Sequence, residues 1–240
     1  MTDVILQTRQ LVKRFGGVWA TDTVDFVLQR GELRCLIGPN GAGKSTFFKL
    51  LTGQLRPTSG KITFDGNDIT TLSTHQIARL GVGIKNQTPD VFDGLSGREN
   101  LWLAAIVSNT RAAAEQQIDR IVEQLRLAPF IDGQVGELAH GQRQWIEIGM
   151  VMAREPTLIL LDEPSAGMSM EERVRTAELL KTLQATCTIV VVEHDMEFIK
   201  RIADVVTVFH RGKILREAKI DDVLRDPEVR DVYLGRQEVA

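Results

Sequence analysis

The feature that most restricts the fold of this chain is a glycine-rich segment, GPNGAGKS at residues 38–45. It matches the pattern G-x-x-x-x-G-K-[ST] and lies between a predicted strand at residues 32–37 and a predicted helix at residues 44–51. Glycines let the backbone wrap closely around a phosphate group, so that several N–H groups can point inward. The helix start adds the positive end of its dipole. The segment therefore predicts a phosphate-binding loop in an α/β fold.

Two side chains of this loop have the chemistry that a nucleoside triphosphate requires. Lys44 supplies a point charge for the β- and γ-phosphates, and Ser45 offers a hydroxyl to Mg²⁺. A glycine-rich structural turn is the alternative, but it would not explain a Lys-Ser pair at a strand-to-helix turn. The loop alone leaves GTPases, kinases, helicases and transport ATPases open. The other predicted ATP contacts of the loop are Gly38, Pro39, Asn40, Gly41, Ala42, Gly43 and Thr46.

The rest of the chain alternates strand-like and helix-like patterns, which favours a mainly parallel sheet covered by helices. Between about residues 95 and 153 the pattern is helical, with helices predicted at 99–107, 112–125 and 142–152. A helical insertion in an α/β core explains this order best. Further strands are predicted at 4–11, 23–28, 62–64, 157–161, 188–192, 205–209 and 213–217.

Length, charge and cysteine content narrow the possible functions. The 240 residues allow one large α/β domain, and the net charge of −3 gives no reason to expect a nucleic-acid partner. No stretch approaches the roughly 18 to 20 apolar residues that span a bilayer, and the N-terminus lacks the features of a signal peptide. Cys35 and Cys187 lie in apolar stretches and are predicted to be buried thiols in a reducing cytosol. We expect a cytosolic protein whose membrane role comes through a partner.

Residues 158–164, LILLDEP, are predicted to be a buried strand that ends in two adjacent acids. Asp162 can hold Mg²⁺ through water, and Glu163 can orient or deprotonate an attacking water molecule. The two acids could instead cap the next helix. In a chain that also carries a phosphate-binding loop, hydrolysis is the better interpretation, because a kinase would not need the second acid.

Two further motifs, LAHGQ at residues 138–142 and VVEHD at residues 191–195, complete a set that resembles the ABC ATPase family over essentially the whole chain. The resemblance implies a P-loop NTPase with a RecA-like core, an antiparallel β subdomain and a helical insertion. It implies a single domain, 1–240, with a nucleotide-binding core at about 1–90 and 155–240. The helical subdomain, which carries the signature motif, would occupy about 91–154.

The resemblance also implies roles for single residues. Phe15 would stack on adenine, and Gln87 would contact Mg²⁺ and the attacking water and sense a permease. His194 would hydrogen-bond the γ-phosphate and help to hold the catalytic water. A core phenylalanine and a surface-loop glutamine remain the alternatives for the first two. The implied catalytic residues are Glu163, His194, Lys44 and Gln87, and the implied metal ligands are Ser45, Gln87 and Asp162.

In this family the signature segment contacts the γ-phosphate bound by the opposite subunit of a head-to-tail dimer. Here it consists of Ala139, His140, Gly141 and Gln142, so that Ala139 and His140 replace the usual serine and first glycine. The loss of a hydroxyl donor to a charged group costs roughly 1.5–3 kcal/mol, enough to weaken the dimer about 10- to 100-fold. Ser169 stands where an aspartate is typical. We expect slow or asymmetric ATP turnover.

His75, His140 and His210 have no context that suggests a metal ligand. An apolar surface from Val91 and Phe92 to Leu101 and Trp102 is the expected permease contact, with a packed helical core as the alternative.

Finer matches resemble the ATPases of the branched-chain amino acid importer group, and most closely its urea or short-amide branch. The resemblance implies membrane permeases, a second ATPase subunit (identical or different) and, indirectly, a periplasmic solute-binding protein as partners, with the chain peripheral on the inner face of the membrane. Urea is the preferred solute and branched-chain amino acids are the alternative. Export of lipid or lipopolysaccharide and a non-transport ABC ATPase are less favoured. The finer matches are FGG at 15–17, QTPDVF at 87–92, HGQRQWIEIG at 140–149, AGM at 166–168, EHDMEF at 193–198 and VYLG at 232–235.

Overall fold

The structure is a computed structural model that describes residues 3–88 and 90–234. Pro89 and Gly235, which belong to two of the finer matches above, lie outside these ranges. The strands are β1 Val4–Phe15, β2 Val18–Gln29, β3 Leu33–Ile37, β4 Ser59–Phe64, β5 Asn67–Asp68, β6 Val82–Lys85, β7 Leu158–Asp162, β8 Thr188–Val192, β9 Val205–His210 and β10 Lys213–Ala218. The helices are α1 Lys44–Leu51, α2 Thr74–Arg79, α3 Gly97–Ala105, α4 Arg111–Gln124, α5 His140–Met152, α6 Met170–Gln184, α7 Met196–Ile202, α8 Ile220–Arg225 and α9 Pro227–Leu234.

Two sheets organise the chain. Six strands in the order β10-β9-β3-β8-β7-β6 form a sheet whose neighbours are parallel except at the edge, where β10 pairs antiparallel with β9. Four strands in the order β2-β1-β4-β5 form a second, antiparallel sheet. The carboxyl ends of β3, β6, β7 and β8 therefore meet at one edge of the larger sheet, where ligands bind in folds of this class.

Alternate residues of the central strands face two separate apolar clusters. On β7, Ile159 and Leu161 belong to the cluster built with helices α3 to α7, whereas Leu158 and Leu160 belong to the cluster shared with α1 and the antiparallel sheet. This division follows from the twofold side-chain alternation of a strand. Because both faces are covered, β7 and β8 are apolar apart from the terminal Asp162 and Thr188, as parallel strands usually are. Strand β3 is apolar except for Arg34, which is buried and paired with Glu32 and Glu217.

Capping residues fix where several helices begin. Ser96 accepts a hydrogen bond from the backbone N–H of Glu99, whose carboxylate in turn accepts from the Ser96 N–H, so that α3 starts at Gly97. Ser169 and Glu172 form the same reciprocal pair at the start of α6. Each such cap contributes about 1 kcal/mol and determines the direction in which the preceding loop enters the helix.

The predicted fold class is confirmed, with differences in detail. The alternation of apolar and polar residues predicted strands at 4–11 and 23–28. The first hairpin is longer, because β1 runs to Phe15 and β2 begins at Val18. Strands β5 and β6 and helices α2 and α6 to α9 had not been predicted. Cys35 and Cys187 are both buried, as expected. Within the described ranges no helix is long and apolar enough to cross a bilayer.

The prediction that Leu101 belongs to an exposed permease surface is wrong. Leu101 has no exposed surface, because its side chain packs in the helical cluster and reaches the backbone of Gly149 on α5. Phe92 and Trp102 are 55% and 36% exposed. The helical period puts Leu101 and Trp102 on different faces of α3, and only the second face reaches solvent.

Candidate active site

The glycine-rich loop connects β3 to α1 through backbone conformations that other residues rarely adopt. Gly38 and Gly43 have φ angles of 147° and 108°. A Cβ atom on Gly38 would collide with the carbonyl oxygen of Phe209, and one on Gly43 with the carbonyl oxygen of Ala20. Both glycines are therefore required by conformation and by close approach of the backbone.

Neighbouring strands brace this loop from the side. The N–H of Gly212, in the turn between β9 and β10, donates to the carbonyl oxygen of Ala42 at 2.9 Å. The N–H of Asp22 on β2 donates in turn to the carbonyl oxygen of Gly212 at 2.8 Å. The loop is thus held by both sheets, and such preorganisation is what a phosphate-binding backbone needs.

Lys44 points into its own loop. Its Nζ donates to the carbonyl oxygens of Gly38 at 2.6 Å and Pro39 at 3.1 Å. Burial lowers the pKa of Lys44, while the nearby charges of Glu163 and Asp162 oppose that change. The ammonium group therefore lies within its own loop, where the charges of the two acids at the end of β7 act on it. Asn40, Gly41 and Ser45 are exposed, and Thr46 is half-buried on the first turn of α1.

Three of the predicted catalytic side chains lie together beyond the carboxyl ends of β6, β7 and β8. Gln87 Nε2 donates to Glu163 Oε2 at 2.9 Å, and His194 Nδ1 lies 3.7 Å from Glu163 Oε1. Glu163 has a φ of 48°, a left-handed conformation that costs a non-glycine residue energy and is often found at functional sites. The N–H of Glu163 donates to the carbonyl oxygen of Val192, which fixes this residue against β8.

The two adjacent acids have different surroundings. Asp162 is the last residue of β7 and is 9% exposed, whereas the side chain of Glu163 is 28% exposed. Burial and then the charge of Glu163 raise the pKa of Asp162, and the charges of Lys85, Lys49 and Lys44 oppose that rise. A carboxylate in this position gains from a cation nearby, whereas the more exposed Glu163 is free to contact water.

A buried carboxylate joins the loop after β7 to the loop after β8. Glu193 is 1% exposed, and its Oε1 accepts from the N–H and the hydroxyl of Ser165. Its Oε2 accepts from the N–H groups of His194 at 2.9 Å and Asp195 at 3.3 Å. Four donors on one buried carboxylate offset its desolvation and fix the relative position of Glu163 and His194.

Arg173 on α6 makes a second connection between the same loops. Its Nη1 donates to Asp195 at 2.6 Å, and its Nε donates to the carbonyl oxygen of Met168 at 3.1 Å. Asp195 also caps α7 by accepting from the N–H groups of Glu197 and Phe198. The roles of Glu193 and Arg173 had not been predicted. A buried glutamate directly after an apolar strand was the signal in the sequence for the first.

The segment at the start of α5 contacts the loop after β7 within the same chain. Gln144 Nε2 donates to the carbonyl oxygen of Ala166 at 3.1 Å and lies 2.8 Å from His140 Nε2. The His140 ring covers Gly167, where a Cβ would lie 3.0 Å from the ring. His140 therefore has a packing role against the loop after β7.

Ala139 and Ser169 sit at equivalent places, directly before a helix. Ala139 precedes α5 and has no side-chain acceptor, so only its N–H is used, donating to Gln142 Oε1 at 3.0 Å. Ser169 precedes α6 and forms the full reciprocal cap. The two departures from the usual motifs thus differ in their effect on the helices. Ala139 leaves α5 without a side-chain acceptor at its cap, whereas Ser169 provides one for α6.

The ring of Phe15 is 48% exposed at the end of β1, and Lys13 Nζ lies 5.0 Å from its centroid. An ordinary core position is excluded. An aromatic face at this place on the first hairpin is available to stack on a planar ligand.

Comparison with known proteins agrees with this geometry. The family model described as ABC transporter matches residues 21–166. The chain belongs to the ABC transporter ATP-binding family. ATP-binding cassettes of this family are ATPases, so the chain binds and hydrolyses ATP.

Similar proteins and structures span nearly the whole chain. The high-affinity branched-chain amino acid transport ATP-binding protein BraF of Pseudomonas aeruginosa is 33% identical over 98% of this chain and 99% of its own length. The lipopolysaccharide export system ATP-binding protein LptB of Acidithiobacillus ferridurans is 33% identical over 97% and 98%. The crystal structure of an ABC transporter cassette in its ADP conformation superposes with a TM-score of 0.88, at 30% identity over 98% of this chain and 100% of that chain.

Proposed function

We propose that this ABC ATPase drives an importer of a small polar solute, with hydrolysis carried out by Glu163, Gln87, His194 and Lys44. The observation that carries this proposal is the meeting of Gln87 and His194 on the carboxylate of Glu163. In this proposal Glu163 orients or deprotonates the attacking water, and Gln87 and His194 hold it in place. Lys44 and the backbone of residues 38–46 hold the phosphates, and Phe15 stacks on adenine.

The residues near the loop fit a magnesium ion that is bound largely by phosphates and water. In the described part of the chain no cluster of three or more His, Cys, Asp or Glu side chains could hold a metal by itself. Mg²⁺ in nucleotide sites typically takes only one or two protein ligands. Ser45 and Asp162, with Gln87 from the neighbouring loop, are the proposed ligands. The ion would neutralise charge on the transferred phosphoryl group.

A head-to-tail dimer is the proposed working form. Ala139 and His140 are exposed at the start of α5, and N–H groups of a helix start can bind a phosphate held by another subunit. We propose that residues 139–142 act on the opposite subunit's ATP. We also propose that the chain divides into a nucleotide-binding core and a helical subdomain. The core would comprise about 1–90 and 155–240, and the helical subdomain about 91–154.

The proposed permease contact is an open groove of about 690 Å³ between α2, β6, α3 and α5. Phe92, Leu103, Val107 and Met150 line it with apolar surface, and Phe92 is 55% exposed. A peripheral position on the inner face of the membrane would follow from this contact. A periplasmic solute-binding protein would then be an indirect partner.

Branched-chain amino acids and urea are the two proposed solutes. The name of BraF favours branched-chain amino acids, whereas the preference for urea rests on the finer sequence matches alone. Because the ATPase does not touch the solute, its own residues cannot choose between them. The name of LptB makes lipopolysaccharide export the remaining alternative.

Substitution of the proposed catalytic acid tests the site. Glu163→Gln should lower kcat about 10²- to 10⁴-fold while ATP binding persists, because it removes a base and keeps the size of the side chain. Glu171→Gln, an exposed acid on the first turn of α6, is the matched control and should hydrolyse ATP at the normal rate. Undiminished hydrolysis by Glu163→Gln would remove Glu163 from its proposed role.

The solute is tested in the complex. The permeases and solute-binding protein that copurify with the chain would be reconstituted, and ATP hydrolysis would be measured with leucine, urea or neither. Stimulation by leucine alone would favour branched-chain amino acids, and stimulation by urea alone would favour urea. Copurification lost in Phe92→Asp but kept in Val4→Asp, which changes an exposed apolar residue of β1 away from the groove, would support the groove as the permease contact.

A further inference from the structure

A buried ion pair connects helix α5 to the end of β6, two residues before Gln87. Lys85 has no exposed surface and the side chain of Glu147 is 5% exposed, and Lys85 Nζ lies 3.3 Å from Glu147 Oε2. Burying two charges is costly, and an apolar pair of similar size often serves stability as well or better. The ion pair is therefore a poor device for stability alone. Apart from the charge of Lys85, which lowers the pKa of Asp162, the pair has no part in the site described above.

The same carboxylate also holds the far end of the loop that contains Gln87. Glu147 Oε1 accepts a hydrogen bond from the N–H of Asp90 at 3.1 Å. Lys85 Nζ donates to the carbonyl oxygen of Asn86 at 3.1 Å, at the start of that loop. One side chain of α5 thus contacts the chain immediately before and after the segment that presents Gln87.

Gln87 is the residue of this loop that reaches the site, through its hydrogen bond to Glu163. A shift of α5 would move Glu147, and with it both ends of the loop. We propose that Lys85 and Glu147 are positioning residues that tie the placement of Gln87 against Glu163 to the position of helix α5.

This coupling rests on the proposed role of Gln87 and deepens it. Helix α5 begins with residues 139–142, which the proposed dimer directs at the ATP of the other subunit. The ion pair would then connect the segment that serves one ATP with the glutamine that serves the other. If α5 can occupy two discrete positions, Gln87 would also occupy two positions. Coupling between two sites requires a structural element of this kind, whose equilibrium both sites can shift.

Replacement of both charges separates this role from a structural one. Lys85→Met and Glu147→Met alone should each destabilise the full-length chain, because each leaves one buried charge unpaired. The double variant should recover a melting temperature near that of the unmodified chain. Its kcat should nevertheless stay about 10- to 100-fold lower, with little change in ATP affinity, because Gln87 is no longer held in place.

A second comparison asks whether the pair acts through Gln87. In a Gln87→Ala background, Lys85→Met/Glu147→Met should lower kcat no further, since residues that act as one unit are not additive. Glu147→Gln, which retains an acceptor for Asp90 and is the mildest change, should give an intermediate kcat. Arg111→Gln/Glu115→Gln, an exposed ion pair on α4, is the control and should change nothing.

The outcomes distinguish this inference from the function on which it rests. If the double variant recovers kcat together with stability, or if it lowers kcat further in the Gln87→Ala background, the inference is wrong. If Glu163→Gln or Gln87→Ala hydrolyses ATP like the unmodified chain, the proposed site itself is wrong. If the double variant does not fold, the kcat of Glu147→Gln decides, and an unchanged value overturns the inference.

Discussion

The hydroxyl of Ser165 donates a hydrogen bond to the buried carboxylate of Glu193, so that the loop following the proposed catalytic acid is fastened to the loop carrying His194. The backbone N–H of Ser165 donates to the same oxygen at 3.1 Å. We infer that Glu193 acts on the proposed site through these residues, as a positioning residue.

Ser165→Ala removes one of these donors and leaves the backbone bond in place. A hydrogen bond to a charged group is worth roughly 1.5–3 kcal/mol, so the free energy of unfolding should fall by about that amount. We expect kcat to fall with it, while KM for ATP changes little. Urea unfolding and steady-state ATP hydrolysis measure both quantities, with exposed Ser108→Ala as the control. Unchanged values in both assays would contradict the role of Glu193.

Gly43→Ala tests the geometry of the phosphate-binding loop. The added Cβ would collide with the backbone of Ala20 at a φ of 108°, so the loop must shift. We expect ATP affinity to fall at least about 10-fold, which corresponds to about 1.4 kcal/mol. Gly17→Ala, where a Cβ meets nothing within 4 Å and φ is not positive, should bind ATP normally. Binding of a fluorescent ATP analogue measures the difference, and equal affinities would be inconsistent with a strained loop.

Two substitutions of Ala139 separate helix capping from phosphate contact. Ala139→Ser and Ala139→Asp should each stabilise the chain by about 0.5–2 kcal/mol, because both supply the acceptor that α5 lacks. Only serine also donates to a phosphate, so we expect it to raise turnover about 10- to 100-fold in the full complex. Aspartate should lower turnover by repelling the phosphate. If Ala139→Ser leaves dimerisation and hydrolysis unchanged, the idea that Ala139 slows turnover fails.

Ser169 should tolerate the aspartate that is usual in the family. Serine and aspartate are similarly good caps, so Ser169→Asp should change the free energy of unfolding by less than about 0.5 kcal/mol. Ser169→Ala should cost about 1 kcal/mol, since it removes the acceptor for the N–H of Glu172. Denaturant titration measures both variants. A large gain from aspartate would show that its charge, rather than capping, matters at this position.

Both cysteines should be unreactive in the native chain. Burial raises the pKa of Cys187 to about 11, and it raises the pKa of the fully buried Cys35 further. A raised thiol pKa keeps the proton on sulfur, so at pH 8 only about one Cys187 in a thousand carries the reactive thiolate. Ellman's reagent at pH 8 should label neither thiol natively and both after unfolding in urea. Rapid native labelling would indicate that one of these sites opens.

Features encoded in short, contiguous segments could be predicted from the sequence. Strands β3, β7 and β8 are mostly apolar segments that lead into the motifs, and the fold class followed from their order. Helix α6 was missed because its start, MEERVR, is strongly charged, although Ser169 and Glu172 are a recognisable capping pair. Strand β6 has only four residues and lies at the edge of the sheet.

The contacts that place the proposed catalytic side chains could not be predicted in the same way. Ser165, which contacts Glu193, and Lys85, which contacts Glu147, are far from these acids along the chain. No local pattern reports which strand ends become neighbours. The sequence motifs predict which residues meet the nucleotide. The hydrogen bonds and ion pairs that hold these residues depend on the order of the strands in the sheet and on the position of α5.

Arg173 reaches Met168 on one loop and Asp195 on the other, and this sets a condition for anyone who exchanges parts between related cassettes. A chimaera that imports residues 163–169 from a relative would also need that relative's arginine position on the following helix and its residues 193–195. The two loops must therefore be exchanged together. The segment to exchange is defined by the contacts of Arg173 rather than by the limits of the sequence motifs.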